Sequence, residues 1–156
     1  MATYKVVGIG EHGKYFDENA YQDTLNYIFD PESAVYCGGS GISSVETAAI
    51  EMQNIAKSFD KDSGKRVRHS VLSFSQKENV SLEDAKEYAD RVIQYYAPDY
   101  QIAYAVHGNT DDPHIHFIMN QIGLDGTRYR GKKKDYYDFI NYMKKVTHLP
   151  VIPSKK

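Results

Sequence analysis

Tryptophan is absent, and cysteine nearly so: Cys37 stands alone among 156 residues. One thiol forms no internal disulfide and supplies no multi-cysteine zinc site, and a reducing cytoplasm is the expected location. With no partner histidine indicated, Cys37 is read as incidental or buried. Long apolar runs are missing too. None reaches the roughly 18 residues that cross a bilayer as a helix, so no membrane anchor is expected. The opening, Met1-Ala2-Thr3-Tyr4-Lys5, lacks the basic flank and long apolar stretch of a secretory signal. The glycine-rich stretch 38–41 is not followed by the Lys-Ser/Thr of a phosphate loop, which argues against a nucleotide site there.

What remains is ordinary globular material, 41% hydrophobic and 26% charged, of a length that suits one domain over 1–156. The net charge of -2 hides an asymmetry. Residues 1–100 carry ten Lys/Arg against sixteen Asp/Glu, whereas residues 101–156 carry nine against five. A basic half can face a polyanion, although a plainly solvated surface has the same composition. Fourteen tyrosines suit wet interfaces and base stacking alike.

Periodicity predicts strands at 3–10, 66–75, 101–107 and 114–121. It predicts helices from Asp17 to Ile28, from a Ser43/Glu46 capping box to about Phe59, from Ser81 to the region before Pro98, and from an Asp135 cap onward. The stretch 33–44 reads as a loop or hairpin tip, and the Pro150/Pro153 tail as loose. Six residues join the third and fourth strands, so these should be antiparallel. The expected class is α+β: a two-layer sandwich with a largely antiparallel central sheet and helices packed on one face.

His107, His114 and His116 are the strongest chemical feature. His114 and His116 share one face of a strand, and His107 ends its hairpin neighbour, with Ala103 and Ala105 leaving room beside it. Three imidazoles can hold a metal and leave positions open, the pattern of a catalytic rather than a structural site. Imidazole accepts zinc, manganese, iron or nickel, while chemistry on phosphate oxygens favours magnesium or manganese, with zinc as an alternative. Ser73 and His69 share a strand face that could join the same site. A metal, hydroxyls and a nearby basic run suit a phosphodiester substrate. The nucleophile would be water or a side chain, and composition does not choose among fourteen tyrosines.

Several ordered features resemble the relaxase/mobilisation nuclease family of conjugative or mobilisable elements, within the HUH endonuclease superfamily. His107-Gly-Asn-Thr-Asp-Asp-Pro-His114-Ile-His116-Phe-Ile-Met-Asn120 resembles its three-histidine motif. His69-Ser-Val-Leu-Ser73-Phe-Ser75 resembles its middle motif, and Leu25-Asn-Tyr27-Ile28 the segment with the nucleophilic tyrosine. The resemblance covers roughly residues 3–152 and implies an HUH-like fold. It also implies metal-dependent nicking and joining of single-stranded DNA at a transfer origin through a 5′-phosphotyrosyl intermediate. Tyr27 would then be the nucleophile, with Tyr21 its rival. Ser73 would touch DNA near the cut, and His107, His114 and His116 would hold the ion. A departure is Asn109, where the family often has aspartate; Asp111 or Asp112 would have to substitute. Arg128, Arg130, Lys132, Lys133 and Lys134 would grip DNA phosphates, with Tyr129 for stacking and Lys65, Arg66 and Arg68 extending the surface. Accessory relaxosome proteins would be partners, and the domain would act as a monomer. Relaxase domains usually open longer proteins, so this chain is expected to be truncated at its C-terminal side or naturally short. The competing readings are a rolling-circle replication initiator, a three-histidine hydrolase using water, and a noncatalytic origin-DNA-binding module.

Overall fold

The computed structural model describes residues 1–8 and 14–154. Strands β1 (Ala2–Val7), β2 (Ala34–Ser40), β3 (Val67–Ser73), β4 (Ile102–His107), β5 (His114–Asn120) and β6 (Val151–Pro153) form one sheet in the order β2-β4-β5-β3-β1-β6. Every pairing is antiparallel except β1 with β6. The chain is α+β with a largely antiparallel sheet, as the alternating patterns predicted. The first strand was expected to reach residue 10; residues 9 and 10 lie outside those described.

Helices α3 (Leu82–Val92) and α4 (Lys133–Thr147) cover the apolar face. Leu72 and Phe74 of the β3 segment, Tyr104 and Val106 of β4, and Ile115 and Phe117 of β5 all point into that core. It is the face that strand alternation marks as greasy. Ser81 opens α3 as expected: its Oγ accepts the Asp84 amide at 3.0 Å, and the Asp84 carboxylate accepts the Ser81 amide at 3.3 Å.

Beyond this layer, the opposite face also carries helices. α1 (Ala20–Ile28) and α2 (Ala48–Ser58) pack there over Val67, Ala103, Ala105 and Ile118. The space left by Ala103 and Ala105 is therefore filled by helix, since small side chains let a helix approach the sheet closely. This second layer leaves the histidine end of the face for chemistry.

Four local expectations are corrected. The stretch 33–44 contains an edge strand, β2, on which Cys37 lies exposed. Its glycines suit close approach: a Cβ on Gly38 would lie 2.7 Å from the Tyr104 hydroxyl, and one on Gly39 2.7 Å from the Ile102 carbonyl. Glu46 forms no capping box with Ser43. Glu51 instead accepts the Ser43 amide at 2.9 Å and the Thr47 hydroxyl at 2.6 Å, and α2 begins at Ala48. Asp135 lies in the first turn of α4 rather than at its cap, where its carboxylate accepts the Tyr96 and Tyr129 hydroxyls. The tail is no loose end, because Val151–Pro153 pairs with β1.

Candidate active site

β4 and β5 bring the three histidines together. His107 lies directly opposite His114 in the ladder, and His116 is two residues further along the same face. Ring centroids are 4.1 Å apart for His107 and His116, 5.1 Å for His114 and His116, and 5.3 Å for His107 and His114. Their ligand nitrogens all lie within 4.8 Å of one another.

Hydrogen bonds to the outer nitrogens set the tautomers. A carbonyl can only accept, so a ring nitrogen bonded to one must carry hydrogen. His107 Nε2 donates to the Ile28 carbonyl at 2.8 Å, which leaves Nδ1 with its lone pair. His114 Nδ1 donates to the Asp112 carbonyl at 3.0 Å, which leaves Nε2. His116 Nδ1 lies 2.8 Å from His69 Nε2, and His69 Nδ1 lies 3.0 Å from the Tyr15 hydroxyl. For His116 to offer Nε2 to an ion, its Nδ1–H donates to His69, and His69 Nδ1–H then donates to Tyr15. Burial favours the neutral ring at His116, His69 and His107. Desolvation first, then the neighbouring histidines, pushes His116 down to about 2. Desolvation, with Lys14 and His107 adding to it, pushes His69 down to about 4. Burial lowers His107 as well. Three imidazoles, each with one nitrogen tied back and one free, fit a divalent ion.

α1 supplies both the Ile28 carbonyl and, one residue earlier, Tyr27. The Tyr27 ring centroid lies 6.0 Å from that of His116 and 6.1 Å from that of His69, and the residue is 52% exposed. The Lys14 ammonium sits 4.8 Å from the Tyr27 ring centroid. Tyr21, by contrast, points into the core at 2% exposure, and burial pushes its phenol up to about 12. Ser73 pairs directly with His114 across β3 and β5 and is half-buried on the histidine face.

The basic residues are divided. The Arg66 guanidinium is held by Asp62, with Nε 2.7 Å from the carboxylate, and by the Phe16 carbonyl. Arg128 reaches the carbonyls of Lys61, Ser63 and Lys65 at 3.2 to 3.3 Å. Both pin the loop before β3. Lys134 pairs with Asp138 at 2.7 Å. Arg68 projects to the opposite face of β3 from His69 and lies against the Tyr129 ring at 5.0 Å. Arg130, Lys132 and Lys133 are exposed near the start of α4. The basic run is thus not gathered around the histidines.

The Asn109 amide donates to Ser33 Oγ at 3.2 Å and hydrogen-bonds to no histidine among the described residues. A carboxylate at 111 or 112 was expected to orient the cluster; the Asp112 backbone carbonyl does so for His114. Asn120, which trails the histidine motif, is structural. Its amide donates to the Met52 carbonyl at 2.9 Å and to Gln101 at 3.0 Å, tying α2 to the sheet.

These features agree with a family match over residues 27–148, to the relaxase MobA/VirD2-like nuclease domain. The chain belongs to the MobA/VirD2-like relaxase family. Two relaxase relatives from Staphylococcus aureus, both called Protein rlx, are 31% identical over 83 residues and 29% identical over 91. The matches cover 53% and 56% of this chain but 25% and 28% of those proteins, so the chain spans about a quarter of the length of the curated relatives it matches. The relaxase fold also matches a solved structure described as "Molecular Basis of Vancomycin Resistance Transfer in Staphylococcus aureus". The TM-score is 0.55 at 12% identity, covering 94% of this chain and 88% of that one.

His69 is the site residue that sequence reasoning left without a role. Strand alternation places it on the correct face, but its contact with His116 depends on the β3–β5 register, which no local pattern encodes.

Proposed function

We propose that this relaxase domain is a metal-dependent nuclease that nicks and rejoins single-stranded DNA at a transfer origin, with Tyr27 as nucleophile. The observation that carries this reading is an exposed tyrosine 6.0 Å, ring to ring, from a histidine of a three-imidazole cluster. His107, His114 and His116 would hold the ion, magnesium or manganese. When bound, it supplies positive charge that stabilises the oxygens of the attacked phosphate.

The chain's own residues do the rest. Tyr27 Oη attacks phosphorus, forming a tyrosyl–phosphate bond as the bond to the 3′ oxygen breaks. The phenol loses its proton, and the departing 3′ oxygen gains one. The bond energy is kept in the phosphotyrosyl link, so the free 3′-hydroxyl can reverse the step and rejoin the strand. Lys14 places positive charge where the phosphate arrives. Ser73, opposite His114, offers a hydroxyl to the DNA beside the cut. Tyr21 is too deeply buried to serve as the nucleophile.

The test is a denaturing gel of the protein incubated with manganese and single-stranded oligonucleotides tiled across the transfer origin of the encoding element. The expected product is a slow, protease-sensitive adduct, lost in Tyr27→Phe and with EDTA but kept in Tyr21→Phe. Cleavage without an adduct would favour a water nucleophile. Metal-independent binding with an intact strand would leave only a DNA-binding module.

A further inference from the structure

One cavity lies away from the histidines. It has a volume of about 620 Å³ and lies beside the N-terminal end of α4. Five cations line it: Lys5, Lys65, Arg68, Arg130 and Lys133. No carboxylate is among its described lining residues. Tyr129, Tyr136 and Tyr137 supply aromatic wall.

Two observations mark it as a binding site rather than a chance concavity. First, Arg68 Nε is buried and has no hydrogen-bond partner among the described residues. Arg68 also pairs with no carboxylate among the described residues. A buried donor on a fixed cation is costly to leave unmade, and an anionic acceptor removes that cost. Second, like charges are crowded, and among the described residues none of the five forms an ion pair. Lys65 is held below its ordinary pKa by burial and then by repulsion from Arg68. The volume lies in the range of sites for cofactor-sized molecules and exceeds what one inorganic anion fills. Exposed Tyr137, packed edge-on to Tyr136 at 5.2 Å between centroids, offers a ring for stacking.

We propose that this cavity is a second site, binding a nucleoside phosphate: phosphate on Arg68, Arg130 and Lys133, base against Tyr136 and Tyr137. It is separate from the nicking centre. Arg68 and His69 are adjacent on β3 and so face opposite sides of the sheet. The ligand is either one nucleotide of a bound strand or a free nucleotide; the chemistry is the same.

The test is an NMR titration of the full, isotopically labelled chain in EDTA, with deoxyadenosine monophosphate, inorganic phosphate and a six-nucleotide single-stranded DNA as separate probes. Deoxyadenosine monophosphate, the oligonucleotide or both should shift the amides of residues 130–137 and the Arg68 Nε–H resonance. Inorganic phosphate should bind at least tenfold more weakly. Arg130→Glu with Lys133→Glu, both exposed positions, should weaken binding tenfold or more without changing the melting temperature. Shifts at lower concentration with the oligonucleotide identify a strand nucleotide, and tighter binding of the monophosphate identifies a free one. Silence at 130–137 with both nucleotide probes, equal affinity for inorganic phosphate, or binding that survives the double charge reversal overturns the proposal. None of those results would touch the manganese-dependent adduct at Tyr27, so the two readings fail separately.

Discussion

At the scale of single residues, the site depends on which nitrogen of each imidazole carries hydrogen. Two backbone carbonyls, of Ile28 and Asp112, fix His107 and His114. Only His116 relies on a side chain, His69, which is in turn tied to Tyr15. His69→Ala removes the acceptor for His116 Nδ1–H and is expected to lower manganese affinity by about 10- to 100-fold, as loss of such outer partners commonly does. His69→Gln, whose amide oxygen can accept, should recover part of that loss. Calorimetric titration measures both, and circular dichroism checks that the fold persists. Unchanged affinity in His69→Ala would show that His116 needs no such support. The three ligand candidates were legible from a two-residue spacing and a short turn. The face that carries His69 was legible too, but its contact with His116 was not, because that partner lies 47 residues away in sequence.

At the scale of elements, α1 is the connection between fold and chemistry. It lies over Ala103 and Ala105 of β4, orients His107 through its last carbonyl, and presents Tyr27 beside the cluster. Ala105→Leu would force extra volume under this layer, at a cost of about 1–3 kcal/mol. Because α1 must shift to accept it, manganese affinity should fall along with stability. Urea denaturation and metal titration of the same variant check the coupling; a stability loss with unchanged affinity would uncouple α1 from the site. The helix itself was readable from its apolar spacing at Ala20, Tyr21, Thr24, Leu25 and Ile28. That it covers the histidine side of the sheet was not, because small residues on a strand look the same whether they face a helix or open space. β2 was missed for a related reason: Gly38 and Gly39 read as turn formers, whereas here they make room for Tyr104 and for the β4 backbone.

At the scale of the whole molecule, the sheet separates two surfaces. One side holds the imidazole cluster and Tyr27, and the other holds the α3–α4 core and the cationic cavity. Charge counting found the basic residues but not their duties. Arg66 and Arg128 are committed to backbone carbonyls and Asp62, and thus to the loop before β3. Arg66→Gln is accordingly expected to cost about 1–3 kcal/mol of stability, read from urea denaturation, since it leaves partly buried acceptors unpaired. A variant of normal stability that had lost only DNA affinity would return Arg66 to the binding surface.

The nicking reaction proposed above stands or falls on a covalent bond between Tyr27 and DNA. Its most direct test is peptide mapping by mass spectrometry of the wild-type protein after reaction with manganese and a single-stranded origin oligonucleotide. The expected spectrum shows a nucleotide mass joined through phosphate to the peptide containing Tyr27 and to no other. A linkage on a different residue, or a cut strand with every peptide unmodified, would contradict it.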